Sequence, residues 1–545
     1  MRPALVFFGG KATARASVVV LVLATAALVL GASASARTDQ GSAMMSAGPV
    51  SAQVALEWNA NAVAAVRSAT TTNGLPAGAP PRALFQTEGL IYLAYVQAAV
   101  YDAVTKIAHR YEPYHRFPAA AGNASVEAAV VAASYNTLTF YLGDPGGVLA
   151  GEYAASIAAL PGDAETARGI AVGQAAAADI EALRAADGRD AATAVFGAIG
   201  PVVAGVWQVV PPSTFAQTPW VAFMQPFMLE SPSQFRAPPP PALTSAQYAK
   251  DFNETKLYGS ATSAVRTVGP LPSQTAIALF WNANVISQQN QLYRDVAVQH
   301  GMDLVDTVRL LAMGDMTVSD AGIACFDSKY HYLHWRPFTA IRNADLDGNP
   351  ATTADPTWLP LIPTPNHPEY PSAHGCVTSV VTRVIAEALG TSNIDVTIMG
   401  AAGGATTLTT SQHFDTVQQV QDQVVNARTW AGLHWRNSSV AGENLGNAVA
   451  DWVLQRYFRP LGADRGHGGA GQGDNGPGQG QGPGPGQGDN SQGQGQGQGP
   501  SHDDNGQGQR QGPGHGDNAQ GQGQGPGQGQ AQGQGQGPSH AHGHS

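Results

Sequence analysis

Cysteine is nearly absent: Cys325 and Cys376 are the two found in 545 residues. That excludes a disulfide-built scaffold, and no Cys/His spacing of the zinc type is present either. The chain also has no Gly-rich phosphate loop after a strand and no GxSxG nucleophile elbow. The common nucleotide-binding and serine-hydrolase classes therefore drop out. Charged residues make up only 12%, and acids outnumber Lys and Arg 39 to 28, for a formal net charge of −11. Such a balance argues against non-specific nucleic-acid binding, which depends on neutralising phosphates. Long apolar runs are missing as well. The run from Ser17 to Gly31 is short for a membrane-spanning helix.

What is present at the N-terminus reads as an export signal. Arg2, Lys11 and Arg15 precede the apolar run, and Ala34-Ser35-Ala36 supplies a small-residue cleavage site. The expected organisation is a signal peptide over 1–36, a flexible segment over 37–53, a helical domain over 54–462 and a tail over 463–545. The mature chain is expected to be secreted, without a membrane span. Losing a leader with three basic and no acidic residues makes it more acidic still. The tail is dominated by Gly, Gln and Pro in "GQGQGPG" runs. It has no apolar period with which to bury a core, so it is expected to be disordered.

Helical spacing of apolar residues dominates the middle. It predicts helices over Val54–Ser68, Glu88–Ile107, Val126–Leu142 and Ala164–Ala186. After the "APPPPA" loop at Ala237 to Ala242, helix resumes at Ser245 and continues over Gln274–Tyr293, Asp303–Leu333 and Val377–Leu389. Thr416–Trp430 and Val440–Tyr457 close the set. "DVTIM" and "TTLTT" flank a Gly-rich "GAAGGA" and suit a small hairpin.

Three blocks concentrate chemistry. "KYHYLHWRP" gives Lys329 and Arg336, seven apart, about two helical turns, and so on one face. Pro337 disfavours helix at Arg336 and is expected to end the element. "PEYPSAHGC" gives Ser372 and His374. Pro371 suits a helix start, which would set His374 among the free N–H groups of a first turn. The stretch reads either as a rigid anion site or as a plain loop-to-helix junction. "ARTWAGLHWR" gives Arg428 and His434. Each residue taken singly fits a structural hydrogen bond. Together they offer three cations, a hydroxyl, backbone donors at Ser372 and Ala373, and two imidazoles, a set suited to a tetrahedral oxyanion.

Lys-x6-Arg-Pro, Pro-Ser-x-His and Arg-x5-His, in this order, resemble the signature of the vanadium-dependent haloperoxidases. That family shares its site with type 2 phosphatidic acid phosphatases and bacterial acid phosphatases. "DAGI" at Asp320, "WRP" at Trp335, "HWR" at His434, "YDAV" at Tyr101 and "YEPY" at Tyr111 favour the haloperoxidase branch. The resemblance implies an all-α fold of two four-helix bundles and a vanadate cofactor. His434 would bond vanadium. Lys329, Arg336, Arg428, Ser372 and the Ala373 N–H would hold the oxygens, and His374 would serve as acid–base group. It also implies hydrogen peroxide and halide as substrates, with hypohalous acid as product. The organic acceptor and oligomeric state stay open.

Two positions depart from the pattern: Ala373 stands for the usual Gly, which would be strained if positive φ is required, and Ala427 for the usual Ser. His367 stands where chloroperoxidases carry Phe and algal bromoperoxidases carry His. Bromide and iodide are therefore expected ahead of chloride, unless His367 merely caps a loop. Phe326, three before Lys329, replaces a Trp of the fungal pattern. Two other functions use the same residues. One is a secreted phosphatase with His434 as nucleophile and His374 as acid. The other is a non-catalytic oxyanion-binding protein. Cys325 and Cys376 stand close to the first two blocks and either bridge or remain separate buried thiols.

Overall fold

The computed structural model describes residues 52–73, 75, 78–191, 201–211, 213–401 and 407–462. The expected leader, the flexible segment up to residue 51 and the expected tail lie outside the described residues.

The first half builds α1 (Gln53–Ser68), α2 (Gln86–Ala108), α3 (Val126–Leu142), α4 (Val148–Ala158) and α5 (Ala164–Leu183). Side-chain caps fix several starts: Ser125 accepts from Ala128 N–H at 3.1 Å, and Asp163 accepts from Thr166 N–H at 2.9 Å. Spacing anticipated α1, α2, α3 and α5 but not α4, whose side chains are mostly exposed. The later helices are α6 (Ala246–Tyr258), α7 (Gln274–Phe280), α8 (Val285–Gln299), α9 (Leu304–Tyr332), α10 (Pro337–Arg342), α11 (Ala373–Leu389), α12 (Val417–Trp430) and α13 (Arg436–Leu454).

Helix packing draws two bundles, one of α1, α2, α3 and α5, the other of α9, α11, α12 and α13. The 29-residue α9 joins them, because it packs on α2 and also on α11 and α13. Its residues from Leu310 to Phe326 are buried throughout, so it is enclosed around its circumference rather than along one stripe. Two small antiparallel sheets complete the described structure. β1 (Thr70–Thr71) pairs with β2 (Arg82–Ala83). β3 (Val396–Ala401) pairs with β4 (Leu408–Phe414) from Val396↔Phe414, with a bulge at Gly400/Ala401. The second is the expected hairpin; its connection, 402–406, lies outside the described residues.

The flanking motifs are latches. Asp320 of "DAGI" accepts the N–H groups of Phe227, Met228 and Leu229 at 2.6, 2.7 and 3.1 Å. Tyr101 donates to the Glu112 carbonyl at 2.7 Å, and Asp102 accepts from Tyr114 N–H at 2.7 Å. "YDAV" thereby holds "YEPY" against the end of α2.

The continuous helix expected over Gln274–Tyr293 is broken into α7 and α8. Asn284 caps α8 by accepting from Ser287 N–H at 3.2 Å, which competes with helix continuation through "WNAN". The break leaves the Trp281 carbonyl outside the helical ladder, where the site uses it.

Candidate active site

The "PEYPSAHGC" stretch is a loop running into α11. Ser372 is the N-cap, so Pro371 stands outside the helix and does not begin it. His374 lies in the first turn, as the spacing implied. Ser372 makes no capping bond with its side chain, and its Oγ is buried without a hydrogen-bond partner among the described residues. Ala373 takes a helical rather than a positive φ, so replacing the usual Gly strains nothing here. Helix α13 lies close against this turn. A side chain at Gly375 would come within 2.6 Å of the Ser439 carbonyl, and one at Gly442 would strike the Ser372 carbonyl. That approach lets Ser372 N–H donate to the Ser438 carbonyl at 3.0 Å.

Lys329 and Arg336 do not share a helix face. α9 ends at Tyr332, and Leu333 turns the chain in the left-handed conformation at φ 48°. Arg336 is extended, φ −78° and ψ 154°, as a residue before proline prefers, with Pro337 opening α10. The loop nonetheless returns Arg336 to the site. Trp335 is buried in a separate aromatic cluster with Tyr248, Phe252 and Trp435, which anchors both "HWR" segments. Lys329 is fully buried and donates to the carbonyls of Pro368, Glu369 and Pro371, the first two at 2.9 and 3.1 Å. All three ammonium protons clamp the loop, so Lys329 acts on the site as a charge held behind it.

Arg336 donates through Nε to the His367 carbonyl at 2.9 Å and through Nη1 to the Leu433 carbonyl at 3.0 Å. It also reaches His434 Nε2 and His367 Nδ1, each at 3.0 Å. Arg428 donates to the Trp281 carbonyl at 3.3 Å, while its buried Nε has no partner among the described residues. His374 also hydrogen-bonds the Trp281 backbone and leaves its buried Nε2 without a partner there.

His434 lies between Arg336 and a carboxylate that spacing did not mark. Its Nδ1 is 2.9 Å from Glu369 Oε1, and that oxygen also accepts from Trp435 N–H at 3.0 Å. Glu369 is fully buried, and its Oε2 has no hydrogen-bond partner among the described residues. The visible signal was an acid inside a proline-bounded block that also carries Ser372 and His374.

These groups meet at a cavity of about 330 Å³ lined by His367, Ala373, His374, Arg428 and His434. Its far wall carries Leu84, Phe85, Leu90, Val285, Phe326 and Val377. His367 packs against Phe326 with ring centroids 5.3 Å apart, so it belongs to the cavity wall. Burial lowers Lys329 to about 8 and pulls Arg336 and Arg428 down too, although guanidinium groups stay charged. Burial pushes Glu369 up to about 7. Burial first, then the neighbouring cations, holds His367, His374 and His434 well below the usual imidazole range, so all three are neutral.

Three buried cations beside one carboxylate leave positive charge that an anion would neutralise. The partnerless Ser372 Oγ and Arg428 Nε, with the Ala373 N–H on the first turn of α11, are the donors a small oxyanion needs, and the partnerless His374 Nε2 adds a nitrogen able to take a proton. The residues therefore fit vanadate, and they fit phosphate equally.

Cys325 and Cys376 are free, fully buried thiols that face one another, with Cys325 on the cavity wall. No bridge joins them. We expect two titratable thiols in denatured, unreduced protein; a count of zero would mean that they pair.

Comparison with known proteins follows the same lines. Residues 309–462 match the VCPO second helical-bundle domain. The vanadium chloroperoxidase of Curvularia inaequalis is 25% identical over 272 residues, 39% of this chain and 44% of that protein, so the match spans less than half of the relative's length. A bacterial vanadium-dependent iodoperoxidase structure aligns with a TM-score of 0.61 at 20% identity, covering 74% of this chain and 97% of that one. A holo-type bacterial vanadium-dependent chloroperoxidase aligns with a TM-score of 0.53 at 19% identity, covering 67% and 90%. At such identities the two structures establish the shared all-helical fold alone. The matched domain holds every residue of the three blocks, and over that stretch the chain is similar to the vanadium haloperoxidases.

Proposed function

We infer that the protein is a secreted, vanadate-dependent haloperoxidase that uses hydrogen peroxide to oxidise halide, bromide and iodide ahead of chloride. The observation that carries this reading is the pair of buried, partnerless atoms His374 Nε2 and Arg428 Nε on side chains lining one cavity, with the partnerless Ser372 Oγ on the residue next to Ala373 of that wall. When bound, vanadate supplies a Lewis acid that activates peroxide towards halide without changing oxidation state. His434 would hold the metal through Nε2. Arg336, Arg428, Ser372 and the Ala373 N–H would hold the oxygens, and Lys329 would add charge from behind the loop. Preplaced cations in a dry site draw electron density from a bound oxidant more strongly than they would in water. His374 Nε2, neutral and directed to the cavity, would accept or return the proton. Secretion is supported by the leader-like composition of the first 36 residues.

The test is purified mature protein assayed with and without orthovanadate, with peroxide and each halide in turn, beside a phosphomonoester. Vanadate-dependent halide oxidation supports the reading. Vanadate-inhibited phosphate release without it would assign the phosphatase instead.

The halide order rests on His367. Its ring nitrogens lie 3.0 and 3.3 Å from Arg336 Nη2, Nδ1 is also 3.2 Å from the Pro368 carbonyl, and the ring faces Phe326, so one wall of the cavity is polar where a Phe would be apolar. The guanidinium divided between His367 and His434 has less of its charge directed at the oxidant. Chloride, the hardest of the three halides to oxidise, suffers most. His367→Phe is expected to raise the chloride-to-bromide rate ratio. A wild-type enzyme that oxidises chloride as efficiently as bromide at mildly acidic pH would refute this role.

A further inference from the structure

We propose that Glu369 is the positioning residue that fixes His434 in the tautomer and orientation needed to bond a metal through Nε2. The inference rests on the assignment of His434 as the vanadate ligand. Arg336 can only donate, so at 3.0 Å it makes His434 Nε2 an acceptor. The ring proton therefore sits on Nδ1 and is donated to Glu369 Oε1 at 2.9 Å. Trp435 N–H donates to the same oxygen at 3.0 Å. Oε1 thus accepts twice, whether or not the other carboxyl oxygen carries a proton.

Glu369 is itself immobilised by all three blocks. Its N–H donates to the His334 carbonyl at 2.9 Å. Its carbonyl accepts from Lys329 Nζ at 3.1 Å and from Ser438 Oγ at 3.4 Å. The residue ties 334–336, 368–374 and 434–438 together at one point. A carboxylate on the far nitrogen of a metal-binding imidazole fixes its tautomer and raises its basicity, and losing such a partner costs about 10–100-fold in metal affinity.

The test uses full-length mature protein with wild-type Glu369, Glu369→Gln and Glu369→Ala. Three quantities are read: the His434 side-chain 15N resonances, assigned against His434→Ala, orthovanadate affinity by equilibrium dialysis with metal analysis, and thermal unfolding. Wild type and Glu369→Gln are expected to show the Nδ1–H tautomer and to bind vanadate within a few-fold of each other. Glu369→Ala is expected to lose the fixed tautomer and about 10–100-fold of affinity. An Nε2–H tautomer in wild type overturns the inference outright, even if Glu369→Ala fails to fold or no form binds vanadate. A folded Glu369→Ala with unchanged tautomer and affinity overturns it too. So does a Glu369→Gln that keeps the tautomer yet binds as weakly as Glu369→Ala, because Glu369 would then serve the cations rather than His434. Wild-type protein with the Nδ1–H tautomer but no vanadate binding sinks the cofactor assignment and leaves the Glu369–His434 geometry standing.

Discussion

His434→Ala is expected to abolish vanadate-dependent turnover and to drop retained vanadate to the background of an unrelated protein. The imidazole is the group at the cavity that combines an acceptor nitrogen with a supported far side, between Arg336 and Glu369. His374 and His367 cannot replace it: the first is tied to the Trp281 backbone and the second to Arg336. Because a direct ligand is lost, the effect should exceed the roughly 10–100-fold that supporting partners carry. The substitution also leaves Glu369 Oε1 with Trp435 N–H alone, which should cost about 1–3 kcal/mol of stability in urea unfolding. Metal analysis after exhaustive dialysis separates the two effects. Wild-type vanadate retention in a folded variant would remove His434 from the metal site.

His374→Ala should behave differently: vanadate retention within a few-fold of wild type, but turnover lower by about 10²–10⁴-fold. The reason is its geometry. His374 sits in the first turn of α11, hydrogen-bonded to the Trp281 backbone, with Nε2 buried and partnerless in the cavity. Burial, Arg428 and Lys329 keep it neutral, ready to take a proton rather than give one. An arriving oxyanion adds negative charge and raises that affinity for protons, which is what an acid–base group needs to work in both directions. Wild-type kcat with intact retention would exclude it from proton transfer. Loss of retention as large as in His434→Ala would make it a ligand instead.

The linear sequence determined the helical class, because apolar residues at helical spacing recur in every long segment. It also determined which residue types could serve the site, because three blocks carry cations, a hydroxyl and imidazoles in a fixed order. Spacing placed several helix starts to within a residue, at Val126, Asp303 and Thr416, where the structure shows Ser125, Asp303 and Thr416 as the caps. Ala373, His374, Arg428 and His434 line one cavity.

Only the tertiary structure decided how the groups meet. Helical arithmetic placed Lys329 and Arg336 on one face, yet Leu333 and Pro337 end that helix, and a loop pinned by Trp335 brings Arg336 back. Spacing ran one helix through Trp281, whereas Asn284 breaks it and frees a carbonyl for Arg428. Glu369 went unmarked because a carboxylate's role depends on what faces it, and its partners, His434, Lys329 and His334, lie up to 65 residues away. Periodicity reports which side of an element is buried. Which polar atoms converge inside that burial is fixed by loops and close helix contacts, such as Gly442 against Ser372, that no local pattern encodes.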